Sequence, residues 1–89
     1  EVLIIAEDTP PASMDDDELL GLYDGIPLPE RSIDGQPLFP DRIFVYRLPL
    51  MRMCRNIREL RREIRATIIH ELGHFFGFDE DDLERMGID

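Results

Sequence analysis

The chain has no lysine, a single cysteine, and no basic side chain anywhere in its first 30 residues. The missing lysines reflect genome base composition at most and carry no functional weight. One cysteine, Cys54, cannot close an internal disulfide. That suits a reducing compartment, and the cytoplasm is the expected location. No basic stretch followed by an apolar one opens the sequence, so nothing marks it for export. The longest apolar runs, residues 2–6 and 43–46, fall far short of the ~20 residues that a membrane span requires. No membrane association is therefore expected. Positive charge is also in deficit, with 10 basic against 20 acidic residues and a net charge of −10. A phosphate backbone would be repelled by such a chain, which excludes nucleic acid as an expected partner.

What is present suffices for one small folded unit. Apolar residues make up 43% of the 89 residues, enough for a compact core and too many for a disordered chain. Residues 2–6 are rich in β-branched side chains and read as a buried strand, stopped by Pro10 and Pro11. Residues 13–18 form an acidic loop or short helical turn. Residues 19–23 form a second strand closed by the turn pair Asp24-Gly25. Residues 26–40, with four prolines and Gly35, read as a surface loop. The clearest strand covers residues 42–48, and Pro49 ends it. A long helix follows over residues 57–76. Asn56 and Glu59 are its capping pair, and Ile57, Leu60, Ile64, Ile68, Leu72 and Phe75 form one apolar stripe. Gly77 is its natural terminus. A short helix over residues 81–86 closes the chain before Gly87. Strands that precede helices predict an α+β fold.

The chemistry is concentrated in His70-Glu71-Leu72-Gly73-His74, which uses both histidines of the chain. On a helix, residues four apart lie almost above one another, so His70 and His74 can address one ion. Neutral imidazoles suit Zn²⁺, which is the expected cofactor. Glu71 projects to the side of the metal, where it can take a proton from a metal-activated water and pass it to a leaving amine. A catalytic zinc usually has three protein ligands. Gly77 can turn the chain back toward the ion, which brings Glu80 into the third-ligand position. Asp79 and Asp81 are close enough in sequence to compete for that role.

At these residues the sequence resembles the minimal zincins, a family of small bacterial proteins similar to the metzincins. The resemblance rests mainly on His70-Glu71-Leu72-Gly73-His74-Phe75-Phe76-Gly77-Phe78-Asp79-Glu80 and the tail Asp81-Asp82-Leu83-Glu84-Arg85-Met86-Gly87. It extends to Leu22-Tyr23-Asp24-Gly25-Ile26-Pro27-Leu28 and to Pro40-Asp41-Arg42-Ile43. It implies a short mixed β-sheet packed on a long active-site helix, with a short C-terminal helix, in one domain over residues 1–89. The implied function is a zinc-dependent metallopeptidase acting on a peptide or protein substrate. The family commonly carries Asp where this chain has Glu80, one methylene longer. Its members usually begin with a helix before the first strand, whereas this sequence opens almost inside that strand. Either that helix is missing or the sequence is incomplete. Larger metzincins carry a Met-turn beneath the metal, a role not assigned to Met86. The alternative reading is a zincin-like metal-binding module with little or no catalysis that acts through a protein partner. It is motivated by small size, the altered third ligand and the segregated charge.

Other features have plain readings. Arg55, Arg58, Arg62 and Arg65 line one side of the long helix, and a solvated face pairing with Glu59 and the acidic first third accounts for them. Tyr23 and Tyr46 are expected to be packing residues with hydroxyls at the surface. Phe75, Phe76 and Phe78 are expected to be core and lid for the metal helix. Cys54, over four helical turns from His70, reads as a buried structural thiol.

Overall fold

Strand formation is strongest where β-branched and aromatic residues alternate, and this segment lies at the centre of the sheet. The computed structural model describes residues 1–31 and 40–88. Gly35 and Pro37 of the expected 26–40 loop lie outside the described residues. Three strands, β1 (Val2–Glu7), β2 (Gly21–Asp24) and β3 (Asp41–Tyr46), form a sheet in the order β1-β3-β2. β1 runs parallel to β3, with Ile4 opposite Ile43. β2 runs antiparallel, with Tyr23 opposite Ile43 and Gly21 opposite Val45. Short 3₁₀ turns occupy Ala12–Met14 and Leu28–Glu30. Three helices follow the sheet: α1 (Arg47–Met53), α2 (Ile57–Phe75) and α3 (Glu80–Arg85). The fold is α+β, with a mixed sheet, a long helix and a short C-terminal helix.

Side chains alternate between the two faces of a strand. In β3 that alternation buries Asp41, Ile43 and Val45. Helix α2 packs on β2 and β3 rather than on β1. This explains why residues 2–6 are not the buried strand read from their composition. β1 is an edge strand among the described residues, with Leu3 38% and Ile4 55% exposed, because α2 packs on the other two strands.

A second correction concerns the end of β3. The strand stops at Tyr46 and the chain passes directly into α1, so Arg47 and Leu48 are helical rather than extended. Pro49 lies in the first turn of α1. There a missing N–H breaks no intrahelical bond, so proline starts this helix rather than merely stopping a strand. Leu48 N–H donates to the Asp8 carbonyl at 2.9 Å, which ties α1 to the segment after β1.

The apolar stripe of α2 is only partly interior. Leu60, Ile64, Ile68, Leu72 and Phe75 are half-buried and Ile57 is 62% exposed, whereas Thr67, Glu71 and Gly73 are the buried positions. The reason is close approach to β2. A Cβ added to Gly21 would stand 2.5 Å from Thr67 Cγ2 and 3.5 Å from Glu71 Cγ. Glycine at this point lets the helix lie against the strand on its Thr67–Glu71 side.

Inside the sheet, Asp41 is 4% exposed and fully engaged. Tyr23 Oη donates to it at 2.6 Å, and the Arg31 guanidinium pairs with its other oxygen. Burial alone would raise the Asp41 pKa, but Tyr23 and Arg31 outweigh it and hold the carboxyl below its usual range. Burial and Asp41 push the Tyr23 hydroxyl up to about 12. Its hydroxyl is a part-buried donor held by Asp41 rather than a free surface group. Tyr46 is buried at 1% exposure.

Candidate metal centre

The site is assembled by the ends of two helices. α2 starts at Asn56, whose side chain accepts the Glu59 N–H at 2.9 Å. Glu59 in turn accepts the Arg55 N–H at 3.3 Å. Nineteen residues later the helix ends at Phe75, one residue short of the expected bound. Gly77 adopts φ +98°, a left-handed conformation that suits glycine. Its N–H reaches the His74 carbonyl at 3.0 Å, and the Phe78 N–H reaches the Gly73 carbonyl at 3.0 Å. Together these bonds make a Schellman turn. It reverses the chain into α3, which starts at Glu80.

α3 ends in the same way. Gly87 N–H bonds to the Glu84 carbonyl at 3.0 Å and Ile88 N–H to the Leu83 carbonyl at 2.8 Å. Leu83, fully buried, occupies the space left by the absent side chain of Gly73 and locks α3 onto α2.

Each Schellman turn leaves a carbonyl facing a histidine. His74 Nδ1 lies 2.9 Å from the Phe78 carbonyl, and His70 Nδ1 lies 2.9 Å from the Ile88 carbonyl. A carbonyl can only accept, so each Nδ1 must carry the hydrogen. In the neutral ring the lone pair then resides on Nε2. Both Nε2 atoms point at one oxygen of Glu80, His70 at 3.1 Å and His74 at 2.8 Å. One ligand atom each from His70, His74 and Glu80 lies within 4.8 Å of the others.

Two imidazole lone pairs and a carboxylate oxygen repel one another unless a positive charge sits among them. That charge is either a proton on an imidazole or a cation held by all three. The donor set fits a divalent metal of the zinc type: two imidazole nitrogens oriented by backbone carbonyls, plus one carboxylate. Burial works against charge on His70, yet the Ile88 carbonyl and Glu80 raise its pKa overall. Partial desolvation would raise the pKa of the largely exposed Glu80, but the hydrogen bonds of His74 and His70 lower it.

The other acids near the turn are differently employed. Asp79 caps α3 by accepting the Asp82 N–H at 2.8 Å, while Asp82 accepts the Asp79 N–H at 3.0 Å. That reciprocal capping box turns Asp79 away from the histidines. Asp81 is exposed and stands outside the cluster. α3 accordingly begins one residue earlier than the sequence suggests, and Glu80, not Asp81, is its first residue.

Glu71 also lies outside the three-residue cluster, with Oε2 4.0 Å from His70 Nε2. Its side chain is 10% exposed, set between α2 and Gly21. Burial raises its pKa, against the opposing charges of His70 and His74. A cleft of about 330 Å³ between β2 and α2 is lined by both His70 and Glu71.

Residues 1–88 match the zincin-like metallopeptidase family. The chain belongs to that family. None of the curated proteins matches it. Membership implies a metal, typically zinc, and peptide chemistry in a general sense. No helix among the described residues is long and apolar enough to cross a membrane.

In this zincin-like chain the structure draws His70, His74 and Glu80 into one cluster and places Glu71 beside it. Sequence reasoning missed the two carbonyls, of Phe78 and Ile88, that orient the rings. Their signal was available: Gly77 and Gly87 are each followed by an apolar residue, the pattern of a Schellman turn. It also missed the Tyr23–Asp41–Arg31 cluster, which joins residues distant in sequence and has no local signature. Phe75 does pack inward, edge-on to Tyr23 at 6.0 Å and under the Arg31 guanidinium at 5.3 Å. Phe76 and Phe78 are not core: they are 53% and 43% exposed. Cys54 is half-buried at the end of α1 rather than buried.

Proposed function

We propose that this chain is a zinc-dependent peptidase in which His70, His74 and Glu80 hold the metal and Glu71 is the general base. The observation that carries this reading is the orientation of both Nε2 atoms and Glu80 Oε1 toward one point, with Glu71 next to it but outside the set. Three protein ligands leave a fourth position open, as in catalytic rather than structural zinc sites. Zinc held there would supply Lewis acidity, to polarise a carbonyl and lower the pKa of a water to roughly 7.

The rest falls to the protein. Phe78 and Ile88 hold the rings in the Nδ1–H tautomer. Glu71, desolvated between α2 and Gly21, takes up a proton more readily than an exposed glutamate and can return it to a leaving amine. Gly21 begins β2, an edge strand among the described residues. Tyr46 N–H donates to the Leu20 carbonyl at 2.9 Å. By antiparallel alternation the Gly21 and Tyr23 backbone groups therefore face outward, the Tyr23 N–H toward Glu71 and the others where an extended peptide can pair. The single cysteine suits a reducing compartment such as the bacterial cytoplasm.

The deciding experiment measures zinc content and peptide hydrolysis together. Wild type and Glu71→Ala should both retain one zinc per chain, with hydrolysis about 10²–10⁴-fold slower in the variant. Equal rates in the two proteins would sink the assignment of Glu71. Absence of hydrolysis across a broad peptide library by zinc-loaded wild type would sink the peptidase. One observation favours a second reading, a metal-holding module that acts through a protein partner: Phe76 and Phe78 stand exposed beside the site. Tight zinc binding without hydrolysis, with a partner lost on Phe76→Ser, is the outcome that reading requires.

A further inference from the structure

The sheet has a second face, turned away from α2 and the metal centre. Asp41, Ile43 and Val45 of β3 are buried on the helix side, so by strand alternation Phe44 and Tyr46 project from the other. Their rings are nearly parallel, with 4° between planes and 6.3 Å between centroids. A cleft of about 570 Å³ opens over them, walled by Leu22 of β2 and by Pro10 and Pro11 of the segment after β1. That is an ordinary size for a small-molecule site. None of its lining residues lies on α2 or takes part in the metal cluster.

Two polar groups in this cleft lack partners. Tyr46 is 1% exposed, yet its hydroxyl makes no hydrogen bond among the described residues. A buried tyrosine hydroxyl ordinarily finds one. Among the described residues no wholly enclosed side-chain nitrogen or oxygen is without a partner. The Tyr46 oxygen therefore keeps a small opening, and the cleft that this residue lines supplies it. Burial, and after it the charge of Glu7, raises the pKa of the hydroxyl, which stays protonated and can both donate and accept.

Glu7 is the second such group. It stands opposite Tyr46 in the parallel register of β1 and β3, on the same face of the sheet, and also lines the cleft. Among the described residues it forms no ion pair. The other two charges here engage each other: Arg42 pairs with Asp24 and lies over the Phe44 ring at 5.2 Å. One carboxylate thus remains uncompensated beside an unengaged hydroxyl, above two aromatic rings.

We propose that this cleft binds a small amine, protonated and carrying a flat apolar body, at a site separate from the metal centre. The ammonium donates to the Glu7 carboxylate and to the Tyr46 oxygen, while the body lies along Phe44, Leu22 and the two prolines. An anion is repelled by Glu7 and Asp24. A neutral molecule of the same shape takes water from Glu7 without replacing its hydrogen bonds.

Zinc-loaded protein titrated at neutral pH with phenethylamine, phenethyl alcohol and hydrocinnamate tests this, with binding read from NMR amide and ring signals. The amine should bind with a Kd below about 1 mM and at least about tenfold more tightly than the alcohol. The carboxylate should not bind. Shifts should centre on Leu22, Phe44 and Tyr46 and spare the His70 and His74 rings. Glu7→Gln should weaken the amine about tenfold and Tyr46→Phe about fivefold. Glu7 is exposed, so its variant keeps the fold even where loss of the buried hydroxyl disturbs the sheet, and circular dichroism checks both.

No binding of the amine, equal binding of amine and alcohol, or an affinity untouched by both substitutions would each overturn the proposal. Shifts confined to His70 and His74 would do the same, because they put the amine on the metal. A blocked peptide with one central lysine carries the same ammonium on a thin stem. It should bind more weakly, since it leaves the two rings uncovered. If it binds as tightly as the amine, the cleft takes a protein side chain and the small-amine assignment falls.

Discussion

The two halves of α2 share one helical periodicity, yet they meet very different surroundings. In the first half Ile57 is 62% exposed, and Arg58, Arg61, Arg62 and Arg65 form no ion pair among the described residues. Only Arg55, just before the helix, pairs with Glu59, at 3.8 Å and largely in solvent. In the second half Thr67, Glu71 and Gly73 are buried, and His70 and His74 are half-buried. Periodicity does not distinguish the halves; the sheet and α3 do. β2 meets the helix at Thr67 and Glu71, α3 meets it at Gly73, and among the described residues none of 57–62 is buried. A helix acquires a desolvated, oriented group only where other elements supply the walls.

The difference should appear in mutagenesis as a steep gradient along one helix. The largest effect is expected from His70→Ala or His74→Ala. Either removes a nitrogen from the cluster and should weaken zinc binding by more than about a hundredfold, the upper range for losing a mere orienting partner. Competition against a chromogenic chelator reads this directly, and unchanged affinity would dissolve the contrast between the halves.

Next comes Gly77→Ala. It forces a side chain into a left-handed backbone, with a Cβ 2.5 Å from Pro29 Cγ. A stability loss of about 1–2 kcal/mol or more is expected in denaturant unfolding. Weaker zinc binding should accompany it, because the Phe78 carbonyl that orients His74 follows this turn.

A smaller effect should depend on pH in the metal-free protein. Glu80 is held below its ordinary value of 4.5 by His74 and His70, despite partial desolvation. The stability it lends is present above 4.5 and lost as pH falls through the lowered value. Burial disfavours charge on His70, but the Ile88 carbonyl and Glu80 raise it above 6.5. Its share is fully present below 6.5 and lost as pH rises through the raised value. The two contributions overlap between 4.5 and 6.5. Glu80→Gln should therefore lower the Tm of chelator-treated protein more at about pH 5.5 than at about pH 8.5. The opposite order would show that no proton sits between these groups without metal.

The smallest effect belongs to the first half of α2. Arg61→Ala or Arg62→Ala should change unfolding free energy by no more than about 0.5 kcal/mol and leave zinc affinity unaltered. A large loss at either position would mean that this half is also built into the structure.

Local signals were read reliably where the cause was local. The Asn56–Glu59 capping pair, the helical phase of His70 and His74, and the glycine after α2 are matters of neighbouring residues, and the helix lies within one residue of its expected bounds. Pro49 looks like a strand terminator, so the sequence predicts a strand over residues 42–48 that runs two residues too far; proline is equally at home in a first helical turn. The apolar composition of β1 predicts a buried strand. Burial is a property of what packs on a strand, and α2 packs elsewhere.

The sequence by itself determined the helix, the spacing of its two histidines and the turn that follows them. These depend on backbone preferences over a few residues and on the 3.6-residue repeat. Only the tertiary structure decided that Asp79 would cap a helix while Glu80 faced the histidines. It alone decided that the carbonyls of Phe78 and Ile88 would orient the rings, and that Glu71 would be desolvated against Gly21. Those outcomes depend on where α3 and β2 come to rest, which is governed by the fit of Leu83 to Gly73 and of Thr67 to Gly21 across the chain.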